Sequence, residues 1–188
     1  MLSDAKFPVI LSGAGVVIGD AINECKSLAE KLDAPVCNGY QHNDSFPGSH
    51  PLAVGPLGYN GSKAAMQLIS KADVVLALGT RLNPFSTLPG YGIDYWPKDA
   101  NIIQVDMNPD RIGLTKKVTV GIAGDAKQVA LQILEKLSSN AGDNGREERK
   151  NLIHQTKSAW LQTLTSLDHE DDDPGTVWNK EARERDKD

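Results

Sequence analysis

The sequence has few cysteines, few aromatic residues and no long apolar run. Only two cysteines, Cys25 and Cys37, occur among 188 residues, which is too few for a disulfide scaffold and fits a reducing cytoplasm. The most apolar stretch, residues 9–18, is interrupted by serine and glycine and is too short to span a bilayer. The first residues show no secretory signal. We therefore expect a cytoplasmic protein with no membrane partner.

Basic residues are also scarce relative to acidic ones. The sequence has 20 Lys and Arg against 25 Asp and Glu, a net charge of −5, with no basic cluster, so nucleic acid is not an expected partner. The histidines and cysteines lack the paired spacing of a zinc site, so no metal site is expected. A Gly-x-Ser-x-Gly nucleophile motif is also missing. We expect no catalytic residue in this chain.

Short apolar runs alternate with helical patterns over the first 138 residues. Residues 7–12, 34–38, 73–78, 101–106 and 117–122 are typical of buried parallel strands. An apolar stripe over residues 18–32 predicts one continuous helix, Ser62 is expected to cap a short helix, and Gly124-Asp125 should open the last core helix. This order predicts an α/β fold: a Rossmann-like, doubly wound parallel sheet of five to six strands with helices on both faces.

Two regions lack this alternation. Residues 39–61 are rich in Gly, Pro, Asn and His, which predicts a long ordered loop of the functional kind. After Ser138 the sequence becomes polar, with an amphipathic helical pattern over residues 152–167 and an acid-rich end. We expect residues 1–138 to form the Rossmann-like domain and residues 139–188 to be a polar linker or tail, partly helical or disordered.

Six candidate cofactor-binding residues follow the ends of predicted strands. They are Gly13, Gly15, Gly79, Arg81, Asp106 and Asp125. Because the carboxyl ends of parallel strands lie at one edge of the sheet, these residues should come together there. Arg81 could hold a phosphate with two hydrogen bonds, and Asp106 could accept one from a ribose or adenine donor.

A structural role explains the same residues equally well. The glycines could form a tight turn that binds nothing, and Asp106 and Asp125 could cap the turn and helix that follow them. The glycine spacing is also one residue longer than the dinucleotide fingerprint, and the second strand ends in Asn38 where an NAD site needs an acid. Hydride transfer is therefore disfavoured, while looser nucleotide binding stays open.

Several segments, taken in order, resemble the middle domain of acetolactate synthase-like enzymes that depend on thiamine diphosphate. They are PVI at 8–10, the Gly-x-Gly turn, FPGSHP at 46–51, ADVVL at 72–76, LGTR at 78–81 and IIQVDMNP at 102–109. The resemblance covers about residues 8–137. Within this family, residues 39–44, 83–85 and 88–97 are similar to the acetyltransferases that act on sulfoacetaldehyde.

The resemblance implies that this chain is the central domain of a larger, homo-oligomeric enzyme. Thiamine diphosphate and magnesium would be held by the flanking domains of the same chain. The metal-binding Gly-Asp-Gly motif has no counterpart here, since residues 124–126 read Gly-Asp-Ala. The chain alone should therefore bind no thiamine and be inactive.

In the intact enzyme, the resemblance implies attack of the thiamine ylid on sulfoacetaldehyde, loss of sulfite and transfer of the acetyl group to phosphate. The loop residues Gln41, His42 and Asn43 are expected to face the substrate. Some related middle domains bind FAD or ADP, and we expect no flavin requirement here. The alternatives are the middle domain of another thiamine-diphosphate enzyme and a free-standing nucleotide-binding domain.

Overall fold

The computed structural model describes residues 1–58 and 60–167, and its centre is a six-stranded sheet. The strands are β1 (Pro8–Ser12), β2 (Val36–Asn38), β3 (Ala53–Pro56), β4 (Val74–Leu78), β5 (Asn101–Asp106) and β6 (Val120–Ala123). All neighbouring strands run parallel, in the order β3-β2-β1-β4-β5-β6. This is the strand order of Rossmann folds, and it confirms the predicted fold class.

Helices cover both faces of this sheet. They are α1 (Ala14–Ile18), α2 (Ile22–Leu32), α3 (Lys63–Ile69), α4 (Pro84–Thr87), α5 (Ala126–Lys136) and α6 (Arg146–Leu167). The crossover through α2 leads towards the β3 edge, whereas the crossover through α3 leads back towards β6. Because parallel crossovers are right-handed, α2 and α3 lie on opposite faces. α2 packs against α5, and α3 packs against α6.

The central strands β1 and β4 are buried along their whole length. Their side chains are mostly valine, leucine and isoleucine on both faces, because helices or loops cover each side of the sheet. The two strands pair in register from Pro8 with Val74 to Ser12 with Leu78. Both therefore end at the same height, which places the segments that follow them side by side.

Two local predictions are wrong. Residues 18–32 do not form one helix, because α1 ends at Ile18 and Asp20 takes a left-handed φ of 50° before α2 begins. Ile18 is 85% exposed and lies outside the buried stripe of α2. Residues 39–61 are not only a loop, since they contain β3, which pairs with β2 through an irregular register. The predicted cap of Ser62 on α3 is confirmed by its hydroxyl, which accepts from the Ala65 amide.

The polar segment after residue 138 carries the 22-residue helix α6, which includes the predicted helical region. Its first half packs on the sheet domain, since Arg149 is 1% exposed and Ile153 is 4% exposed. The Arg149 guanidinium donates to five backbone carbonyl oxygens, which belong to Lys6, Leu32, Asp33, Gly142 and Asn144. The boundary at residue 138 stays a prediction, and the acid-rich end, residues 168–188, lies outside the described residues.

None of the helices in the described part of the chain combines the length and the apolar character needed to cross a bilayer.

Candidate functional site

The carboxyl ends of β1 and β4 meet at the point where the strand order reverses, and a cavity of about 470 Å³ opens there. Open α/β sheets bind ligands at this position. The cavity lining includes all six predicted cofactor-binding residues: Gly13, Gly15, Gly79, Arg81, Asp106 and Asp125. The structure therefore brings these residues together as expected from the strand ends.

The three glycines among these six residues are needed for close backbone packing. A Cβ atom on Gly13 would lie 2.6 Å from the Thr80 Cβ, and one on Gly15 would lie 2.7 Å from the Gly79 Cα. Gly79 itself has a left-handed φ of 60°. The Gly15 amide donates to the Gly79 carbonyl at 2.8 Å, so this N–H is not free to bind a phosphate. The turn between β1 and α1 therefore has a structural role whether or not a ligand binds.

Two arginines line the cavity. Arg81 and Arg111 are both exposed, and among the described residues neither forms an ion pair. The buried side chain of Gln104 joins their two loops, because its Nε2 donates to the carbonyl oxygens of Thr80 at 3.1 Å and Arg111 at 3.2 Å. Its Oε1 accepts from the Gly113 amide at 2.9 Å. Guanidinium groups are well suited to bind anions such as phosphate, and two of them line this cavity.

Arg111 and Gln104 were not among the predicted site residues. Gln104 offered one signal, since a polar side chain within the apolar β5 needs buried hydrogen-bond partners. Arg111 offered none, because its place at the cavity depends on the turn after β5. Asn108 caps that turn locally, and the Thr115 hydroxyl after it donates to the Leu82 carbonyl at 2.6 Å, a contact between segments distant in sequence.

The two aspartates of the cavity cap local structure. Asp106 is 8% exposed, and its Oδ1 accepts from the Asn108 amide at 2.8 Å. Asp125 is the N-cap of α5, and its Oδ1 accepts from the Gln128 amide at 3.0 Å. Each carboxylate thus performs the capping function that was the alternative to ligand binding.

The loop after β2 contributes two of its three predicted substrate-facing residues to the cavity. Gln41 and His42 are part of the lining, whereas Asn43 is exposed and lies outside it. The Asn38 amide group holds this loop by donating to the His42 carbonyl at 3.3 Å and to the Ser45 hydroxyl at 3.0 Å. The carboxamide at the end of β2 therefore has a structural role, in the position where an NAD site would carry an acid.

Apolar side chains surround the mouth of the cavity. Ile18 is 85% exposed and Met107 is 69% exposed, and both belong to the lining. Tyr40 also lines it and stacks on Phe85 with ring centroids 5.6 Å apart. The cavity thus combines two arginines with exposed apolar and aromatic side chains, a mixture that is typical of small-molecule sites.

Among the residues that the structure describes, this site contains no cluster of metal-ligating side chains and no cysteine. Within residues 1–58 and 60–167, no three His, Cys, Asp or Glu side chains lie close enough together to hold a metal ion. Cys25 and Cys37 are buried away from the cavity. Burial raises the pKa of Cys25 to about 12 and that of Cys37 well above its ordinary value. Neither thiol is therefore a nucleophile near neutral pH.

Relatives of known name match nearly all of this chain. A probable sulfoacetaldehyde acetyltransferase of Rhizobium meliloti is 80% identical over 100% of this chain and 32% of its own length. The sulfoacetaldehyde acetyltransferase of Roseovarius nubinhibens is 75% identical over 97% of this chain and 30% of its own length. A probable acetolactate synthase large subunit of Methanocaldococcus jannaschii is 38% identical over 89% of this chain and 26% of its own length.

The chain thus spans about a third of the length of the curated relatives it matches. Residues 1–136 match the family model described as the central domain of thiamine pyrophosphate enzymes. The six-stranded parallel sheet and the cavity at its reversal point fit this assignment. The resemblance predicted from the sequence is confirmed: this chain belongs to the central-domain family of thiamine pyrophosphate enzymes.

Proposed function

We propose that this chain is the central domain of a thiamine-diphosphate-dependent acyltransferase that converts sulfoacetaldehyde and phosphate to acetyl phosphate and sulfite. One observation carries the proposal. Five relatives named as sulfoacetaldehyde acetyltransferases, one of them as probable, are 53% to 80% identical over at least 92% of the chain. Three acetolactate synthase relatives are 32% to 38% identical.

The chain's own residues do not fit thiamine diphosphate with magnesium. The described residues hold no cluster of metal-ligating side chains, and the only acid in Gly124-Asp125-Ala126 caps α5. Thiamine diphosphate and magnesium therefore belong to the flanking domains of the longer chain, and the isolated domain is inactive. When bound there, thiamine diphosphate supplies the carbanion chemistry.

The loop of Gln41, His42 and Asn43 faces the substrate of the intact enzyme. Gln41 and His42 already lie at the cavity edge of the sheet, where their amide and imidazole groups could orient a sulfonate. Asn43 is exposed and lies outside the cavity lining, so its contribution requires a neighbouring domain. A packing role for the loop is the alternative.

A second role, nucleotide binding, is favoured by the two arginines at the cavity. Arg81 and Arg111 would hold the diphosphate of an ADP-type ligand, with the adenine against Ile18 and Met107. FAD would share this position. We expect no requirement for such a ligand, and the glycine turn and both aspartates have structural roles without it.

The intact enzyme is a homo-oligomer in the cytoplasm. Its thiamine sites lie between the flanking domains, and this domain carries no membrane or nucleic-acid contact. The small number of cysteines supports a cytoplasmic location, and the net charge of −5 supports the lack of a nucleic-acid contact.

The test is a product assay on the longer protein that contains this chain. With thiamine diphosphate and magnesium present, we expect phosphate-dependent release of sulfite from sulfoacetaldehyde, together with acetyl phosphate. Pyruvate is the control substrate, since an acetolactate synthase would form acetolactate from it. Acetolactate formation without sulfite release would reject the proposal.

A further inference from the structure

The short helix α4 and the residues after it show an inverted distribution of polar and apolar side chains. Ser86 and Thr87 are buried, whereas Phe85 is 56% exposed and Leu88 is 48% exposed. Tyr91, three residues further on, is 57% exposed. We name Phe85, Leu88 and Tyr91 the α4 ridge. Large apolar side chains grouped on the surface, beside small polar ones that are buried, indicate a surface that another protein segment covers.

Contacts of its polar groups hold α4 in this orientation. The Ser86 hydroxyl accepts from the Tyr40 amide at 2.9 Å, and the Ser86 carbonyl accepts from the buried Tyr95 hydroxyl at 3.0 Å. The backbone of α4 also packs directly on Gly58, where a Cβ atom would clash with the Phe85 carbonyl oxygen. A rotation of α4 that buried its apolar side chains would therefore break these contacts.

The side chains of the ridge are ordered as well. The Phe85 ring stacks on the Tyr40 ring with centroids 5.6 Å apart. The Tyr91 hydroxyl donates to the Gly61 carbonyl at 3.2 Å, and its ring meets the Trp160 ring edge-on with centroids 5.9 Å apart. Because these rings are already fixed, a partner that packs on them loses little side-chain entropy.

The segment that carries the ridge has no charge. Residues 82–93 contain no Asp, Glu, Lys, Arg or His, although 24% of the whole chain is Asp, Glu, Lys or Arg. No side chain of this segment could therefore recognise a charged ligand by an ionic contact. Interfaces between permanent partners are more apolar than transient ones, and an apolar interface between domains fixes their arrangement. The composition favours a permanent partner.

The position of the ridge favours a domain of the longer chain as this partner. The chain spans about a third of the length of its curated relatives, so most of the longer protein lies outside it. Tyr40, which stacks on the ridge, directly precedes Gln41 and His42, the cavity residues proposed to face the substrate. A domain that brings thiamine diphosphate to these residues also comes close to the ridge.

We propose that a thiamine-binding flanking domain of the same longer chain packs on the α4 ridge. The contact buries Phe85, Leu88 and Tyr91. Because the Ser86 hydroxyl holds the Tyr40 amide, it also fixes the start of the substrate-facing loop relative to that domain. This inference rests on the proposed function, since it requires the longer enzyme, but it is independent of the substrate that the enzyme uses.

The test measures how fast a thiol in the ridge reacts with N-ethylmaleimide. Leu88→Cys is the probe, and Leu131→Cys, an exposed leucine of α5, is the matched control outside the ridge. Each is prepared in the 188-residue chain and in the longer protein, and peptide mass spectrometry assigns each rate to its own residue. We expect Leu88→Cys to react about tenfold more slowly in the longer protein, because labelling follows the population of the uncovered ridge. The rate of Leu131→Cys should be the same in both.

A photocrosslink identifies what covers the ridge. Leu88→p-benzoylphenylalanine is placed in the longer protein and irradiated. We expect a crosslink within a single chain, from residue 88 to a peptide outside these 188 residues.

Three results would overturn the proposal. Equal Leu88→Cys rates in the two proteins would mean that the ridge stays exposed. Equal slowing of Leu88→Cys and Leu131→Cys in the longer protein would mean that the protection is not specific to the ridge. A crosslink that joins two chains would mean that a second copy covers it. A longer protein that forms the expected crosslink but releases no sulfite would support the ridge contact and reject only the proposed substrate.

Discussion

Replacement of Arg149 tests whether the segment after residue 138 is part of the folded domain. The residue is 1% exposed, and its guanidinium donates to carbonyl oxygens at the end of α2, on the segment before β1 and on the turn before α6. Arg149→Met keeps much of the side-chain volume but removes every donor. It leaves five buried or half-buried carbonyls without this partner.

Each hydrogen bond to a charged group contributes about 1.5–3 kcal/mol, but the five contributions do not add, because water reaches some of the carbonyls after truncation. We expect Arg149→Met to lower the free energy of unfolding by about 3–5 kcal/mol, the cost typical of breaking a buried charged network. Arg149→Lys should give a smaller loss, since an ammonium group keeps the charge but has three donors without the planar fork.

The control is Arg146→Met, one helical turn earlier. The Arg146 side chain is 34% exposed and pairs with Asp33 at 2.8 Å and Asp143 at 3.1 Å, so its loss should cost less than about 1 kcal/mol. Urea unfolding followed by circular dichroism measures both variants. If Arg149→Met destabilised the chain no more than Arg146→Met does, the predicted contribution of the Arg149 hydrogen bonds would be refuted. α6 would then not be an integral part of the folded domain.

Three further predictions concern ligands. The isolated chain should give no magnesium-dependent heat with thiamine diphosphate in calorimetry at micromolar cofactor, and saturable heat would contradict the central-domain assignment. If ADP binds, Arg81→Ala and Arg111→Ala should each weaken the binding free energy of ADP by about 1.5–3 kcal/mol. Lys136→Ala, outside the cavity, is the control and should leave the affinity unchanged. If neither arginine variant alters the affinity for ADP, the two arginines do not belong to the site. In the longer enzyme, His42→Ala should lower kcat/KM for sulfoacetaldehyde by about tenfold or more, which equals about 1.4 kcal/mol. Asn43→Ala should have a smaller effect. If kcat/KM of both variants stays within about twofold of the parent, the loop has a packing role only.

The parts of the fold that could be predicted are those set by local sequence. β1 and β4 are continuous apolar runs that end at Gly13 and Gly79, so their extent and parallel pairing followed from burial on both faces. The convergence of the predicted cofactor residues at one cavity followed from the same rule, because strand ends of a parallel sheet share an edge.

The parts that were missed depend on contacts distant in sequence. β3 is four residues long and contains Gly55 and Pro56, so only its pairing with β2 makes it a strand. The apolar stripe over residues 18–32 concealed a break, since Asp20 takes a left-handed φ that its residue type does not require. Arg149 lies in a polar segment, and its burial depends on carbonyls more than 100 residues away.

The most direct test of the central claim exchanges this chain into a relative of known activity. The sulfoacetaldehyde acetyltransferase of Roseovarius nubinhibens is 75% identical over 183 residues, about 30% of its length. Replacing that stretch with the matching residues of this chain should preserve phosphate-dependent acetyl phosphate formation from sulfoacetaldehyde, with kcat/KM within about threefold of the parent, a change of less than 1 kcal/mol. A folded chimera that binds thiamine diphosphate but releases no sulfite would contradict the assignment of this chain as the central domain of such an enzyme.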